Sequence, residues 1–169
     1  MCALHTLNNL FQNPHTFTKT LLDQLCLNLS PNNWINPHKS FLGLGNYDVN
    51  VVMAALQLHQ CEMTWWDRRR TLTKQDVNSC LGMILNLPSA SRLGGLQLPF
   101  KSQHWLAIRR FGSVYYNLDS KLPQPEAIGT DVQLVDYLTK QLKQDNHCQL
   151  FMVHSLNPCT LAEAEEMSN

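Results

Sequence analysis

Apolar positions recur at helical spacing through the first third of the chain. Leu4, Leu7, Leu10 and Phe11 fall on one stripe, which predicts a short amphipathic helix from Cys2 to Phe11. Asn13-Pro14 ends it. Leu21, Leu22, Leu25 and Leu29 form a second stripe and predict a helix over about Phe17 to Leu29. From Ser30-Pro31-Asn32-Asn33 to Gly45-Asn46 the chain is rich in Asn, Pro and Gly, which suits a connecting arm better than a core element. The most apolar run, Val51 to Leu56, lies in a third helix predicted from Asp48 to about Leu58.

The pattern then turns from helical to extended. Cys61 to Trp66 reads as a strand that runs into a charged turn at Asp67. Lys74 to Leu85 reads as another helix with Thr73 as its cap, and a loop is expected from Pro88 to Leu96. Two strands, His104 to Arg110 and Val114 to Asp119, give the clearest hairpin signal, with Gly112 at the turn. A helix from about Val132 to Gln144 and a strand from Gln149 to His154 complete a single domain over residues 1–154, followed by a mobile acidic tail over 155–169. Helices first and strands later predicts an α+β fold with an antiparallel sheet.

Composition sharpens this picture by exclusion. With 169 residues and 44% of them apolar, one compact core is well supported. The 13 basic and 13 acidic side chains cancel, and nucleic acid is excluded as a partner because phosphate neutralisation needs surplus Lys and Arg. The one basic run, Arg68-Arg69-Arg70, stands beside Asp67 and reads as a solvated face. No apolar stretch approaches the ~18 residues that span a bilayer, and residues 1–9 lack the basic and long apolar regions of a signal peptide. No transmembrane segment is therefore expected, and the Asn28-Leu29-Ser30 pattern is expected to carry no glycan.

The six cysteines form no Cys-x-x-Cys pair and read as reduced thiols. Cys2 with His5, or His147 with Cys148, could share a metal, but neither cluster supplies the ligand set of a structural zinc site; no metal and no cofactor are expected. Cys26, Cys61, Cys80 and Cys148 sit among apolar neighbours, where a thiol packs like a small hydrophobe, and Cys159 lies in the tail. Cys2 differs. It opens a helix, where unpaired backbone N–H groups and the helix dipole favour a thiolate.

A thiolate nucleophile needs a base, and the base needs an orienting partner. The hairpin supplies both. If Gly112-Ser113 is a two-residue turn, Phe111 faces Val114, Leu106 faces Asp119, and His104 lies one diagonal step from Asp119. With Phe111-Gly112 as the turn, His104 faces Asp119 directly. Either register places imidazole and carboxylate on one face, whereas a bulged three-residue loop would not. Asn117, two residues earlier on that face, is the alternative orienter. His5, one turn from Cys2, is assigned to structural hydrogen bonding, and the other histidines lie at loops or element ends, where solvated imidazole is ordinary.

Several blocks now add up to a resemblance. Cys2-Ala3-Leu4-His5-Thr6-Leu7-Asn8-Asn9, Gly45-Asn46-Tyr47-Asp48-Val49-Asn50-Val51 with Ala54-Ala55-Leu56, Trp65-Trp66-Asp67, His104-Trp105 and Tyr115-Tyr116-Asn117-Leu118-Asp119-Ser120-Lys121 resemble, in that order, the Josephin domain. The match runs from about Cys2 to Val153 and is nearest to small proteins that consist of little else. It implies a papain-like cysteine peptidase fold and deubiquitinase activity, with ubiquitin and ubiquitinated proteins as partners. By motif, Cys2 corresponds to the nucleophile, His104 to the general base and Asp119 to its orienting residue. The stretch from about Phe17 to Gly45 corresponds to a helical arm beside the cleft, and Val49, Asn50 and Met53 lie near the family's ubiquitin-contacting surface. A monomer in the cytoplasm, and also the nucleus, fits this reading.

One departure from the family stands out. Josephin domains usually carry a glutamine five residues before the nucleophile, which contributes to the oxyanion hole, and here only Met1 precedes Cys2. Loss of one such donor slows acyl transfer roughly 10²- to 10³-fold. The expectation is a chain shortened at its start, with weakened turnover; the alternative is a ubiquitin-binding module with little or none. A third scheme, in which a terminal Cys2 uses its own amine as base, leaves His104 and Asp119 without a task.

Overall fold

The computed structural model describes residues 1–29, 47–93 and 96–157, the side chains at 89–102 excepted. The connecting arm over 30–46 and the tail beyond 157 lie outside the described residues. Elements follow in the order α1 (Cys2–Phe11), α2 (Lys19–Leu29), α3 (Val49–Leu58), β1 (Cys61–Trp65), α4 (Lys74–Asn78), β2 (Gly82–Leu93), β3 (Leu96–Phe111), β4 (Val114–Asn117), β5 (Glu126–Gly129), α5 (Asp131–Gln144) and β6 (Gln149–Ser155). The described strands form one sheet in the order β1-β6-β2-β3-β4-β5, and every neighbouring pair is antiparallel. The α+β expectation holds.

Both faces of the sheet are covered. On one, Leu4, Leu7 and Leu10 of α1, Leu22 and Cys26 of α2 and Val51, Val52, Ala55 and Leu56 of α3 pack with Ile84, Trp105, Ala107, Phe151 and Val153. On the other, Leu134, Leu138 and Leu142 of α5 and Val77 of α4 pack with Met83, Leu85, Leu106, Ile108 and Leu150. Residues 83–85 of β2, 105–108 of β3 and 150–153 of β6 are therefore unbroken apolar runs. Such a run has no period of two and cannot be told from a buried helix by spacing.

That ambiguity explains the main correction. The helix expected from Lys74 to Leu85 stops at Asn78, and the chain turns through Ser79 to Leu81 into β2 at Gly82. The loop expected from Pro88 to Leu96 belongs instead to the long β2–β3 hairpin. Thr73 does cap α4, its side chain accepting from the Asp76 N–H while Asp76 accepts from the Thr73 N–H. A side chain at Gly82 would collide with Leu10 Cδ1 at 2.7 Å and the Ile108 carbonyl at 2.8 Å, so glycine lets α1 lie close against the sheet. The short strand β5 carries no clear alternation and was not foreseen. Helix α2 begins at Lys19 rather than Phe17, because the Asn8 amide holds the Phe17 backbone and its ring is buried with those of Phe11 and His59 near it, and Leu29 is exposed rather than part of the buried stripe.

Helix α1 is fixed at its far end. Gln12 adopts the left-handed conformation and the N–H groups of Gln12 and Asn13 reach back to the Asn9 and Asn8 carbonyls, closing the helix before Pro14. Arg109 of β3 donates to the Leu10 carbonyl. The buried Asn8 amide donates to the carbonyls of Pro14 at 3.0 Å and Phe17 at 3.1 Å, and its oxygen accepts the Phe17 N–H at 2.8 Å.

Candidate active site

Helix α1 lies across β3, which brings its first turn against the middle of that strand. Cys2 is half-buried at the helix start, where the leading N–H groups have no intrahelical acceptor. Its Sγ lies 3.9 Å from the Gln103 carbonyl. His104, the next residue on β3, is 6% exposed, and its imidazole stands near enough to the thiol for each to shift the other. The other side of the ring is fixed by Asp119, whose Oδ1 is 2.7 Å from His104 Nε2. That contact leaves Nδ1 for the sulfur.

The electrostatics follow from these contacts. Burial alone would raise the Cys2 thiol, but hydrogen bonds from His104 and from the Trp105 backbone N–H prevail and lower it below its ordinary value. His104 moves the opposite way: its bond to Cys2 raises it, burial opposes this, and Asp119 adds to the rise. A lowered thiol beside a raised imidazole favours the thiolate–imidazolium pair. Cys61, Cys80 and Cys148 move the other way. Burial raises Cys61, pushes Cys148 up to about 11 and Cys80 up to about 12.

The hairpin adopts the first of the two expected registers. Phe111 faces Val114 and Ile108 faces Asn117, with Gly112 left-handed at φ 57° in the two-residue turn. The Leu118 N–H donates to the Ala107 carbonyl at 2.9 Å and continues the pairing one step past β4. His104 and Asp119 are thus diagonal neighbours. Asn117 does not orient the imidazole; its Oδ1 accepts the Asp119 N–H at 3.0 Å, and Asp119 Oδ1 accepts the Lys121 N–H at 2.8 Å. These turns aim the carboxylate.

The remaining candidates stand apart. His5 is exposed on α1 and its side chain makes no hydrogen bond among the described residues, contrary to the structural role expected of it. His59 is exposed, as expected, with its ring centroid 4.7 Å from that of Phe17 and 5.3 Å from that of Phe11, and the His154 ring meets the Ser79 carbonyl. Arg69 pairs with Asp67, as expected of a solvated face, but Arg68 donates to the carbonyls of Leu142, Asp145 and Asn146 at the end of α5. The Trp105 backbone N–H, which helps lower the thiol, is marked by no sequence signal. Among the described residues, no three His, Cys, Asp or Glu side chains converge as a metal site, and no helix is long and apolar enough to cross a membrane.

A helix that carries Cys2, laid against an antiparallel sheet with His104 and Asp119 paired beside it, fits a papain-like cysteine peptidase fold. The Josephin family model matches residues 1–154, and the chain belongs to the Josephin family. It is 50% identical over 154 residues to a Josephin-like protein of Drosophila melanogaster, covering 90% of this chain and 69% of that one. It is also 47% identical over 153 residues to human Josephin-2, covering 90% and 80% respectively, and 46% identical to the mouse protein of the same name.

Proposed function

We propose that this chain is a deubiquitinating cysteine peptidase that hydrolyses the bond after the C-terminal glycine of ubiquitin. The observation that carries the reading is the imidazole held at Nε2 by Asp119 with the lowered Cys2 thiol on its other side. His104 holds the Cys2 proton, and the thiolate attacks the glycine carbonyl. The tetrahedral oxyanion forms beside the first turn of α1, where the Cys2 N–H can donate to it. His104 then protonates the leaving lysine amine, and water, deprotonated by His104, cleaves the thioester. Asp119 stabilises the imidazolium through both steps. Ubiquitin and ubiquitinated proteins are the proposed partners of a monomeric enzyme, with cytoplasm and nucleus as its proposed compartments.

Incubation with ubiquitin bearing a C-terminal electrophile tests the proposal by intact mass. A one-to-one adduct is expected on the native chain and none on Cys2→Ala. An adduct that persists in Cys2→Ala would overturn the assignment of the nucleophile. Ubiquitin binding with no adduct and no cleavage of di-ubiquitin would replace the enzyme by a ubiquitin-binding module.

A further inference from the structure

Helix α1 carries a second polar residue on the side that bears the nucleophile. Asn9 follows Cys2 by seven residues, two helical turns, so the two side chains share a face roughly 10 Å apart along the axis. Asn9 is half-buried, and its Nδ2 donates to the Leu118 carbonyl at 2.8 Å. Leu118 immediately precedes Asp119. Its own N–H is held by Ala107 of β3, the strand that carries His104, and the Asn117 side chain holds the Asp119 N–H. The segment bearing the carboxylate has already left the sheet ladder, which ends at Asn117, and the Asn9 amide is a side-chain tie between that segment and α1.

We infer that Asn9 is a positioning residue: it latches the Asp119 loop to the nucleophile helix, so that Cys2, His104 and Asp119 keep one mutual geometry. The inference rests on the reading of these three as the reacting constellation. Without the tie, the loop keeps the burial of Leu118 but loses its side-chain hydrogen bond to α1, and a shift of the carboxylate away from Nε2 weakens the imidazolium. The thiolate then loses its counter-ion. A purely structural amide would change the melting temperature and leave the titration of Cys2 where it was.

Alkylation of Cys2 by iodoacetamide, followed across pH by mass of the Cys2 peptide, reads this without any ubiquitin. Asn9→Asp keeps the size of the side chain and removes the N–H donor; Asn9→Ala removes the group altogether. Both are expected to move the Cys2 profile to higher pH and to cut alkylation at neutral pH by about three- to tenfold, the span of one net hydrogen bond. In an Asp119→Ala background, Asn9→Asp is expected to add no further shift, because its route through Asp119 is gone. An unshifted profile in both Asn9 variants would overturn the latch, whatever their melting temperatures, and so would equal shifts in the two backgrounds. A wild-type Cys2 that titrates like an ordinary thiol, unmoved by Asp119→Ala, would instead overturn the reading of the site itself.

Discussion

Among the cysteines, position decides chemistry. Cys2 and Cys80 are chemically the same side chain, yet one is lowered by an imidazole and a backbone N–H while the other is pushed up to about 12 by burial. A lowered pKa means the thiolate persists as pH falls, until the pH drops through that lowered value. At neutral pH in the folded state, iodoacetamide should therefore modify Cys2 and spare Cys80 and Cys148, a pattern read by peptide mass. His104→Ala removes a hydrogen bond that lowers the thiol, and Cys2 labelling should then require more alkaline pH. The buried Asn8 serves the fold instead. Its three bonds hold the chain from Pro14 to Phe17, and Asn8→Ala strands two carbonyls and an N–H, at a cost of about 2–4 kcal/mol in chemical denaturation.

Elements meet in this fold through one permissive contact. The approach of α1 to the sheet depends on Gly82, because a Cβ there would press on the backbone oxygen of Ile108 as well as on Leu10. Backbone cannot rotate away as a side chain can. Gly82→Ala is expected to lose about 1–3 kcal/mol of stability and to displace α1, so that Cys2 alkylation falls even in the folded fraction. A variant as stable and as reactive as the native chain would refute the contact's importance. The Arg109 bond to the Leu10 carbonyl acts at the same junction from the strand side.

Across the whole molecule, α2 and α3 are joined to the sheet by a short relay. The Trp105 indole N–H donates to the Tyr47 carbonyl at 3.1 Å, and the Tyr47 hydroxyl donates to Asp23 at 2.9 Å. Burial and the Asp23 carboxylate raise the Tyr47 phenol well above its ordinary range. A raised phenol stabilises the folded state only while the unfolded phenol stays protonated, so stability should decline as pH rises above about 10. Tyr47→Phe should flatten that alkaline decline in the melting temperature, and an unchanged slope would exclude Tyr47 as its source. Much of this architecture is legible in the sequence where one face of an element meets water. The stripes of α1 and α5 and the glycine turn at Gly112 between two strand-like runs mark their elements, and the blocks around Cys2, His104 and Asp119 mark the candidate site. Residues 82–85 are not legible in this way, because strands buried on both faces lose their period and Lys74 to Leu85 reads as one helix. The sequence by itself determined that Cys2 opens a helix and that His104 and Asp119 share a hairpin face. Only the tertiary structure decided which register pairs them, that Asn117 turns the loop instead of touching the imidazole, and that Asn9 meets the Leu118 carbonyl. Those contacts join residues far apart in the chain, and no local spacing encodes where one element comes to rest on another.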